Sequence, residues 1–460
     1  MRHVHFIGIG GTGLSAIARI LVQRGYEVSG SDNFASVYFN DIARDGAKTF
    51  LGHHPDNVRG ADVVVRSSAI KDDNPEVISA IQLGIPVLKR SDFLPMLLKS
   101  SDTIAIAGSH GKTTTTSMIL FMLHEIGADP SFISGAIVKQ LATNAHAGSS
   151  DLFVIEADEY DYMFLGLNPL ISVITNIEHD HPDCFPTPEA YMEAFVQFLS
   201  RQRPNGTAFL CVDDPGVRQL LTRDAVTLVN FKTYGLKSNT DYLASGLKLN
   251  PAGCFNFDFV LNSGKGAPNN LGNCQLLVPG EHNVQNALAA LAVIHTLGFP
   301  LSEALNALSR FQGADRRFDI CDPVAGITIV NDYAHHPTQI DHTIAAARTR
   351  FPGAPIWVVW EPHTYTRTAA LEKDFCTSLS RADHVIITRI YPAREKDNGY
   401  TPLGIVDALG SKKACYIPDF DQVAGYLVRN LAENDVLLVL SAGNAPAISQ
   451  KTLALLKDRL

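Results

Sequence analysis

Short apolar runs recur along this chain, and most of them close on a glycine-rich or acidic string that leads into a stretch of helical spacing. In the first instance residues 3–9 run into Gly8-Ile9-Gly10-Gly11-Thr12-Gly13, and Leu14, Ile17, Ala18 and Leu21 follow at the intervals of one helix face. Further apolar runs come at Val28 and at residues 62–65. Strand, turn, helix and strand in this order is the grammar of βαβ units, which pair their strands in parallel. A second series opens with residues 103–107, after the polar Lys99-Ser100-Ser101-Asp102, and continues at 153–155 and 171–175. A third follows Phe311-Gln312-Gly313, with runs at 327–330, 356–359, 384–388 and 436–440. The pattern predicts an α/β chain of three domains, with limits at 1–98, 99–313 and 314–460. Residues 237–280, rich in Asn and Gly with short alternating runs, read as an antiparallel excursion on the second domain.

Length and composition agree with this division, since 460 residues at 46% hydrophobic content can bury several cores. No uncharged apolar run of about 18 residues is present, and the chain enters a strand pattern without a charged leader, so a cytoplasmic protein without stable membrane association is expected. Seven scattered cysteines without CxxC spacing argue against a disulfide framework or a zinc site. A formal net charge of -9 argues against nucleic acid as a partner, so any anionic ligand has to be held by local donors.

The sharpest such signal is Gly108-Ser109-His110-Gly111-Lys112-Thr113-Thr114, set between the run 103–107 and a helical stretch at 116–125. Glycines let backbone N–H groups turn onto phosphate oxygens, the helix start adds positive potential, the lysine reaches the outer phosphates and a hydroxyl can meet magnesium. The common phosphate-loop pattern wants glycine at 106, where this chain has Ile106, so the string is a shortened variant. A chance Gly-Lys-Thr at a helix start is the alternative, and the preceding strand favours nucleotide binding. The N-terminal glycines, with Asp32 closing the next strand, meet the conditions of a dinucleotide fingerprint. What they supply is a seat for a diphosphate at a helix N-terminus, which NAD and a UDP-sugar satisfy equally, unless the turn serves only close packing.

Acidic and histidine-rich strings follow other runs, at the strand ends where parallel sheets hold ligands. Glu156-Ala157-Asp158-Glu159-Tyr160-Asp161 offers hard oxygen donors suited to magnesium, or is a solvated acidic loop. Residues 175–183 place His179 and His181 beside carboxylates, as ligands, bases or a surface loop. In the third series, Asp332, His335 and His336 close one run, and Glu361-Pro362-His363-Thr364-Tyr365-Thr366-Arg367 closes another. Arg316 and Arg317 can reach a phosphate, or form a plain linker charge pair.

Together the strings GIGGTGLSAIA, AGSHGKTTT, EADEYD, TNIEHDHPD, GEHNVQNALAA, DYAHHPT and IYPARE resemble the Mur ligase family along nearly the whole chain. The resemblance implies a Rossmann-like N-terminal domain for a UDP-sugar, a central phosphate-loop ATPase domain and a Rossmann-like C-terminal domain for the incoming amino acid. It implies peptidoglycan synthesis, with ATP and magnesium used to join L-alanine to UDP-N-acetylmuramate through an acyl phosphate. Carried over by position, Gly8, Gly10, Gly11, Thr12, Gly13 and Asp32 would bind the UDP-sugar. Residues Gly108, Ser109, His110, Gly111, Lys112, Thr113 and Thr114 would hold the ATP phosphates, with Lys112 on the transferring group. Magnesium would be ligated by Thr113, Glu156 and His181, and His282 and Asn286 would hold the adenine or ribose. Arg317 and Asp332 would face the nucleotide, while His335, His336 and Arg367 would line the acceptor pocket, with His181 or His335 as the base. Alanine-adding relatives include some with two arginines in an HRxTR string, where this chain has Thr364 at the first position and keeps only Arg367. A ligase adding the tripeptide L-Ala-D-Glu-diaminopimelate is the nearest alternative; an NAD-dependent oxidoreductase and a non-catalytic nucleotide switch are more distant ones.

Overall fold

In the computed structural model residues 2–237, 239–262 and 267–458 are described, and their strands form three sheets. The first contains β1 (His3–Ile7), β2 (Glu27–Asp32), β3 (Lys48–Leu51), β4 (Val63–Arg66) and β5 (Val87–Lys89), in the order β3-β2-β1-β4-β5. All its pairings are parallel. Strand order reverses beside β1, so the glycine turn that follows β1 opens at the switch point where doubly wound sheets hold ligands.

The second sheet contains β6 (Asp102–Ala107), β7 (Ser131–Val138), β8 (Thr143–His146), β9 (Leu152–Glu156) and β10 (Ile171–Ile174). It continues with β11 (Thr207–Cys211), β12 (Phe231–Gly235), β13 (Tyr242–Leu249), β14 (Phe255–Leu261) and β15 (Asn269–Gln275). The order is β15-β14-β13-β12-β11-β10-β6-β9-β7-β8, which puts β6 between β10 and β9. Ile106 lies opposite Glu156 and Ala107 opposite Ile174, so the loop after β6 emerges level with the ends of both neighbours. The helix that follows, Lys112–Glu125, is buried at Thr113 and at every position from Thr115 to Leu123. That explains its lack of a polar stripe.

The excursion is only partly antiparallel. β12 and β13 pair in parallel, and β13 then turns back into β14, where Asn250 N–H donates to Cys254 O at 2.7 Å and Asn262 N–H to Asp241 O at 2.8 Å. The antiparallel hairpin of β7 and β8 was not marked by any apolar run read from the sequence.

The third sheet contains β16 (Asp319–Ile320), β17 (Thr328–Asp332), β18 (Ile356–Trp360), β19 (His384–Ile387), β20 (Ala414–Tyr416) and β21 (Val436–Leu440). Its order is β16-β17-β21-β18-β19-β20, parallel except at β16. Val330, Val358 and Leu438 face one buried cluster and Ile329, Val359 and Leu437 the other, as strands covered on both faces require.

By packing, the described chain forms two compact units. One comprises Met1–Gly246, Phe257–Cys274 and Gln285–Phe311, the other Leu247–Asn256, Gln275–Val284 and Gln312–Leu460. The first sheet and most of the second share a unit and a core: Val4, Phe6 and Ile17 belong to the same buried cluster as Ala105, Phe153 and Phe195. Among the described residues no helix is long and apolar enough to cross a membrane.

Candidate active site

The loop between β6 and the helix Lys112–Glu125 is shaped by two glycines in left-handed conformations, Gly108 at φ +130° and Gly111 at φ +82°. A Cβ on Gly108 would stand 2.1 Å from Thr175 Oγ1, and one on Gly111 would stand 2.6 Å from Asn286 Oδ1. Both positions therefore exclude a side chain by conformation and by space. Thr175, just beyond β10, donates from Oγ1 to His110 O at 2.5 Å, and Asn176 Oδ1 accepts the His110 N–H at 2.8 Å. The His110 ring meets Glu178 Oε2 at 2.8 Å, and Ser109 Oγ meets the Tyr191 hydroxyl at 2.9 Å. The loop is thus tied down along its length by the segment that follows β10.

Lys112 turns back over this loop, donating to Gly108 O and, at 3.3 Å, to Ser109 O. Its ammonium also reaches Glu159 Oε1 at 3.1 Å and Oε2 at 2.9 Å. Burial alone would lower its proton affinity, but the carboxylates of Glu159, Asp158 and Glu156 outweigh that and raise it above the usual value. Glu159 is 1% exposed and also accepts the Tyr191 hydroxyl at 3.0 Å. Burial and the Glu159 charge push the Tyr191 phenol well above its ordinary range, so it stays a neutral donor.

Thr113 Oγ1 donates to Glu156 Oε1 at 3.0 Å, while Glu156 Oε2 accepts the Gly135 N–H at 2.8 Å. A hydroxyl and a carboxylate at the mouth of the loop form a hard-donor set that fits magnesium. His181, at φ +55°, faces two other carboxylates: its Nε2 is 3.9 Å from Glu159 Oε1 and 3.8 Å from Asp180 Oδ2.

The glycine turn is equally confined. Gly10 N–H donates to Asp32 Oδ2 at 2.9 Å, Ser36 Oγ donates to Gly10 O at 2.8 Å, and a Cβ on Gly10 would meet both side chains at 3.0 Å or less. Gly8 takes φ +89°, and Gly11 caps the helix Thr12–Gln23 without a side-chain bond, leaving Thr12 and Gly13 in its first turn. The Asp32 carboxylate is a brace of the turn, a role that the fingerprint pattern does not reveal.

In the second unit, register brings the ends of β17, β21 and β18 level, with Asp332 and Trp360 both opposite Leu440. Asp332 accepts the Phe318 N–H at 2.7 Å and the Ala334 N–H at 2.8 Å; burial raises its proton affinity against the pull of Arg317. The guanidinium carbons of Arg316 and Arg317 lie 4.9 and 4.8 Å from the Tyr333 ring centre. His335 bonds Tyr333 O through Nδ1 at 2.8 Å and stands 5.4 Å, ring to ring, from His363. His363 Nδ1 in turn meets Arg367 Nη1 at 3.0 Å. His336 is the buried N-cap residue of the helix Pro337–Arg350. His282 stacks on His342 at 5.1 Å, while Asn286, in the first unit, accepts from Thr115 Oγ1 at 3.2 Å.

Thr364 takes φ +65° and caps the short helix Tyr365–Ala370, its Oγ1 accepting the Arg367 N–H at 3.4 Å. Glu395, from the IYPARE string, receives the Tyr365 and Thr366 N–H groups at 2.6 and 3.1 Å. The sequence marks Glu159 only as one of several hard donors in the acidic string, Glu361 only by its place at a strand end, and Tyr191 and Arg90 not at all. Glu361 is 2% exposed and accepts Ser441 Oγ at 2.5 Å and Ala445 N–H at 2.9 Å.

Three families of known domains match in succession: residues 3–101 the Mur ligase family catalytic domain, 106–294 the Mur ligase middle domain and 316–443 the Mur ligase glutamate ligase domain. The chain belongs to the Mur ligase family of ATP-dependent ligases. It is 40% identical to the UDP-N-acetylmuramate–L-alanine ligase of Alkaliphilus metalliredigens over 457 residues, covering 99% of this chain and 97% of that protein. Among solved structures, the UDP-N-acetylmuramate–alanine ligase of Thermotoga maritima superposes with a TM-score of 0.83 at 27% identity, over 100% of both chains. A murein peptide ligase of Psychrobacter arcticus shares the fold, with a TM-score of 0.72 at 24% identity over 99% of both chains.

Proposed function

We propose that this protein is a cytoplasmic UDP-N-acetylmuramate–L-alanine ligase of peptidoglycan synthesis. The observation that carries the reading is the partly buried Lys112 ammonium, set over a phosphate loop between the ends of β9 and β10, in a chain whose 40%-identical relative, matched over 97% of its length, bears that activity in its name. The domains fall at 1–98, 99–313 and 314–460, for UDP-sugar, ATP and acceptor, and nucleic acid has no part in the reading.

The lactyl carboxylate of UDP-N-acetylmuramate attacks the γ-phosphate of ATP, releasing ADP and leaving an acyl phosphate. Lys112 stabilises the charge on the transferring group, and the amides of residues 108–114 orient it. Thr113, Glu156 and His181 are the proposed magnesium ligands; the ion, when bound, neutralises phosphate charge. The neutral amine of L-alanine then displaces phosphate from the acyl carbon, and His181 or His335 takes its proton. Gly8, Gly10, Gly11, Thr12, Gly13 and Asp32 form the UDP-sugar seat. His282, Asn286, Arg317 and Asp332 serve the nucleotide, and His335, His336 and Arg367 the acceptor.

The test supplies ATP, magnesium and UDP-N-acetylmuramate with either L-alanine or the tripeptide L-Ala-D-Glu-diaminopimelate, and follows ADP release and product mass. Turnover with L-alanine is expected; turnover confined to the tripeptide overturns the assignment.

A further inference from the structure

Glu76, in the first turn of the helix Pro75–Gln82, is a fully buried carboxylate that the proposed chemistry does not use. Its partners come from β1, from β2 and from the segment after β3. Ser31 Oγ, on β2, donates to Oε2 at 2.5 Å and meets His53 Nδ1 at 2.9 Å. The His54 N–H and Asn57 Nδ2, both after β3, donate to Oε1 at 3.2 and 2.6 Å. His53 Nδ1 and His5 Nε2 each stand 3.5 Å from Oε2. The carboxylate itself is carried by the segment after β4, where Asn74 Oδ1 caps the helix by accepting the Glu76 N–H at 2.9 Å.

The same segments support the glycine turn. Ser31 O accepts the Gly8 and Ile9 N–H groups at 2.8 and 3.0 Å. The segment after β4 touches the turn as well, since a Cβ on Gly8 would stand 3.0 Å from Ser67 Cβ. Side chains crowd the rest of it, Ser36 and Asp32 at Gly10 and Arg90 at Gly13, where a Cβ would stand 2.4 Å from Nη1.

We infer that Glu76 is a positioning residue of the UDP-sugar seat, holding β2 and the segments after β3 and β4 in the arrangement that presents the amides of the glycine turn to the ligand. The inference rests on reading that turn as the UDP-sugar seat. Stability alone does not call for a carboxylate here, because well-packed hydrophobes often replace buried charged groups without loss. A hydrophobe cannot accept N–H and O–H groups from several directions at once, as two carboxylate oxygens do. Any shift of Ser31 carries the amides of Gly8 and Ile9 with it, so the loss of Glu76 is felt in ligand binding.

The test is steady-state kinetics of Glu76→Ala with each substrate varied in turn, on protein shown by circular dichroism to be folded at the assay temperature. The KM for UDP-N-acetylmuramate is expected to rise about tenfold, with kcat and the KM values for ATP and L-alanine within about twofold of normal. Glu76→Gln, which keeps an acceptor for His54 and Asn57, is expected to restore most of the affinity. Amide hydrogen exchange at Gly8 and Ile9 is expected to quicken in Glu76→Ala, while the phosphate loop exchanges as before. Should Glu76→Ala not fold, Ser31→Ala, which cuts the link between the carboxylate and β2, carries the same expectation. A folded variant with an ordinary KM for UDP-N-acetylmuramate would assign the carboxylate to stability alone and overturn the inference, as would an equal rise in all three KM values. Failure of the unmodified protein to use UDP-N-acetylmuramate would instead overturn the functional reading beneath it.

Discussion

The Lys112 ammonium donates to both carboxylate oxygens of Glu159, at 3.1 and 2.9 Å, and the side chain of Glu159 is 1% exposed. A buried carboxylate thus holds the lysine over the loop before any phosphate arrives. The pairing keeps the lysine charged inside the protein and fixes where its charge points.

Lys112→Ala should reduce turnover by orders of magnitude, because charge stabilisation at phosphoryl transfer is worth several kcal/mol. Folding should survive, as checked by circular dichroism. ADP release near the normal rate by the folded variant would remove the lysine from the chemistry.

Glu159→Ala should cost stability, because it leaves Lys112 without its closest counter-charge and takes from the Tyr191 hydroxyl its carboxylate acceptor. Removing one partner of a buried pair typically costs ~3–5 kcal/mol. Urea unfolding measures this, and the double variant Glu159→Ala with Lys112→Met should recover part of the loss. A Glu159→Ala midpoint equal to that of the unmodified protein would show the pair to be energetically idle.

The glycine turn should bind UDP-N-acetylmuramate and not NAD. Gly10→Ala should weaken that binding at least tenfold, about 1.4 kcal/mol, because the added methyl meets Ser36 Oγ at 2.9 Å and Asp32 Oδ2 at 3.0 Å. Calorimetry with each ligand decides the matter; micromolar NAD binding without UDP-sugar binding would reverse the assignment.

Arg367→Ala should raise the KM for L-alanine and leave the affinities for ATP and UDP-N-acetylmuramate nearly unchanged, since a guanidinium holds a carboxylate by paired bonds. Were Arg367 only a partner for His363, its loss would cost about 1 kcal/mol of stability and no kinetic change. Steady-state kinetics with one substrate varied at a time separates the two.

Acid should unfold the protein partly through Glu76, which is fully buried and accepts Ser31 Oγ at 2.5 Å and Asn57 Nδ2 at 2.6 Å. Burial would raise its carboxyl, yet the hydrogen bonds from His5, Ser31 and Asn57 bring it below its ordinary 4.5. A carboxyl depressed in the folded state adds stability above pH 4.5 and loses that contribution as pH falls through its folded value. Glu76→Gln should therefore flatten the acid limb of a stability–pH curve below pH 4.5; an unchanged limb would refute the assignment.

How far the sequence could be read follows from what shaped each part. The run 436–440 is strand β21 residue for residue, because a strand buried on both faces needs continuous apolar side chains and shows them. The phosphate loop and glycine turn were legible because backbone geometry there demands particular residues, as at Gly108 and Gly111. Glu159 stood in an acidic string whose members look alike, and only the fold decides which of them meets Lys112. Tyr191 lies 82 positions from Ser109 and reads as a core aromatic, with no local mark of its hydroxyl contacts. The parallel entry of β13 was hidden for the same reason: pairing direction is set by partners distant in sequence. Thr364, which in sequence looked only like an arginine lost, caps the helix that carries Arg367.

The two packing units exchange chain at residues 246, 256, 274, 284 and 311, five passages in all. Expression from residue 314 onward would therefore omit Leu247–Asn256 and Gln275–Val284, two stretches that fold with the second unit. A protease cutting once near residue 312 would yield fragments that still share those threads, and they should migrate together until denatured. Swapping the C-terminal portion between relatives would likewise need cuts at all five passages, so in this protein the second unit is exchanged as a woven piece or not at all.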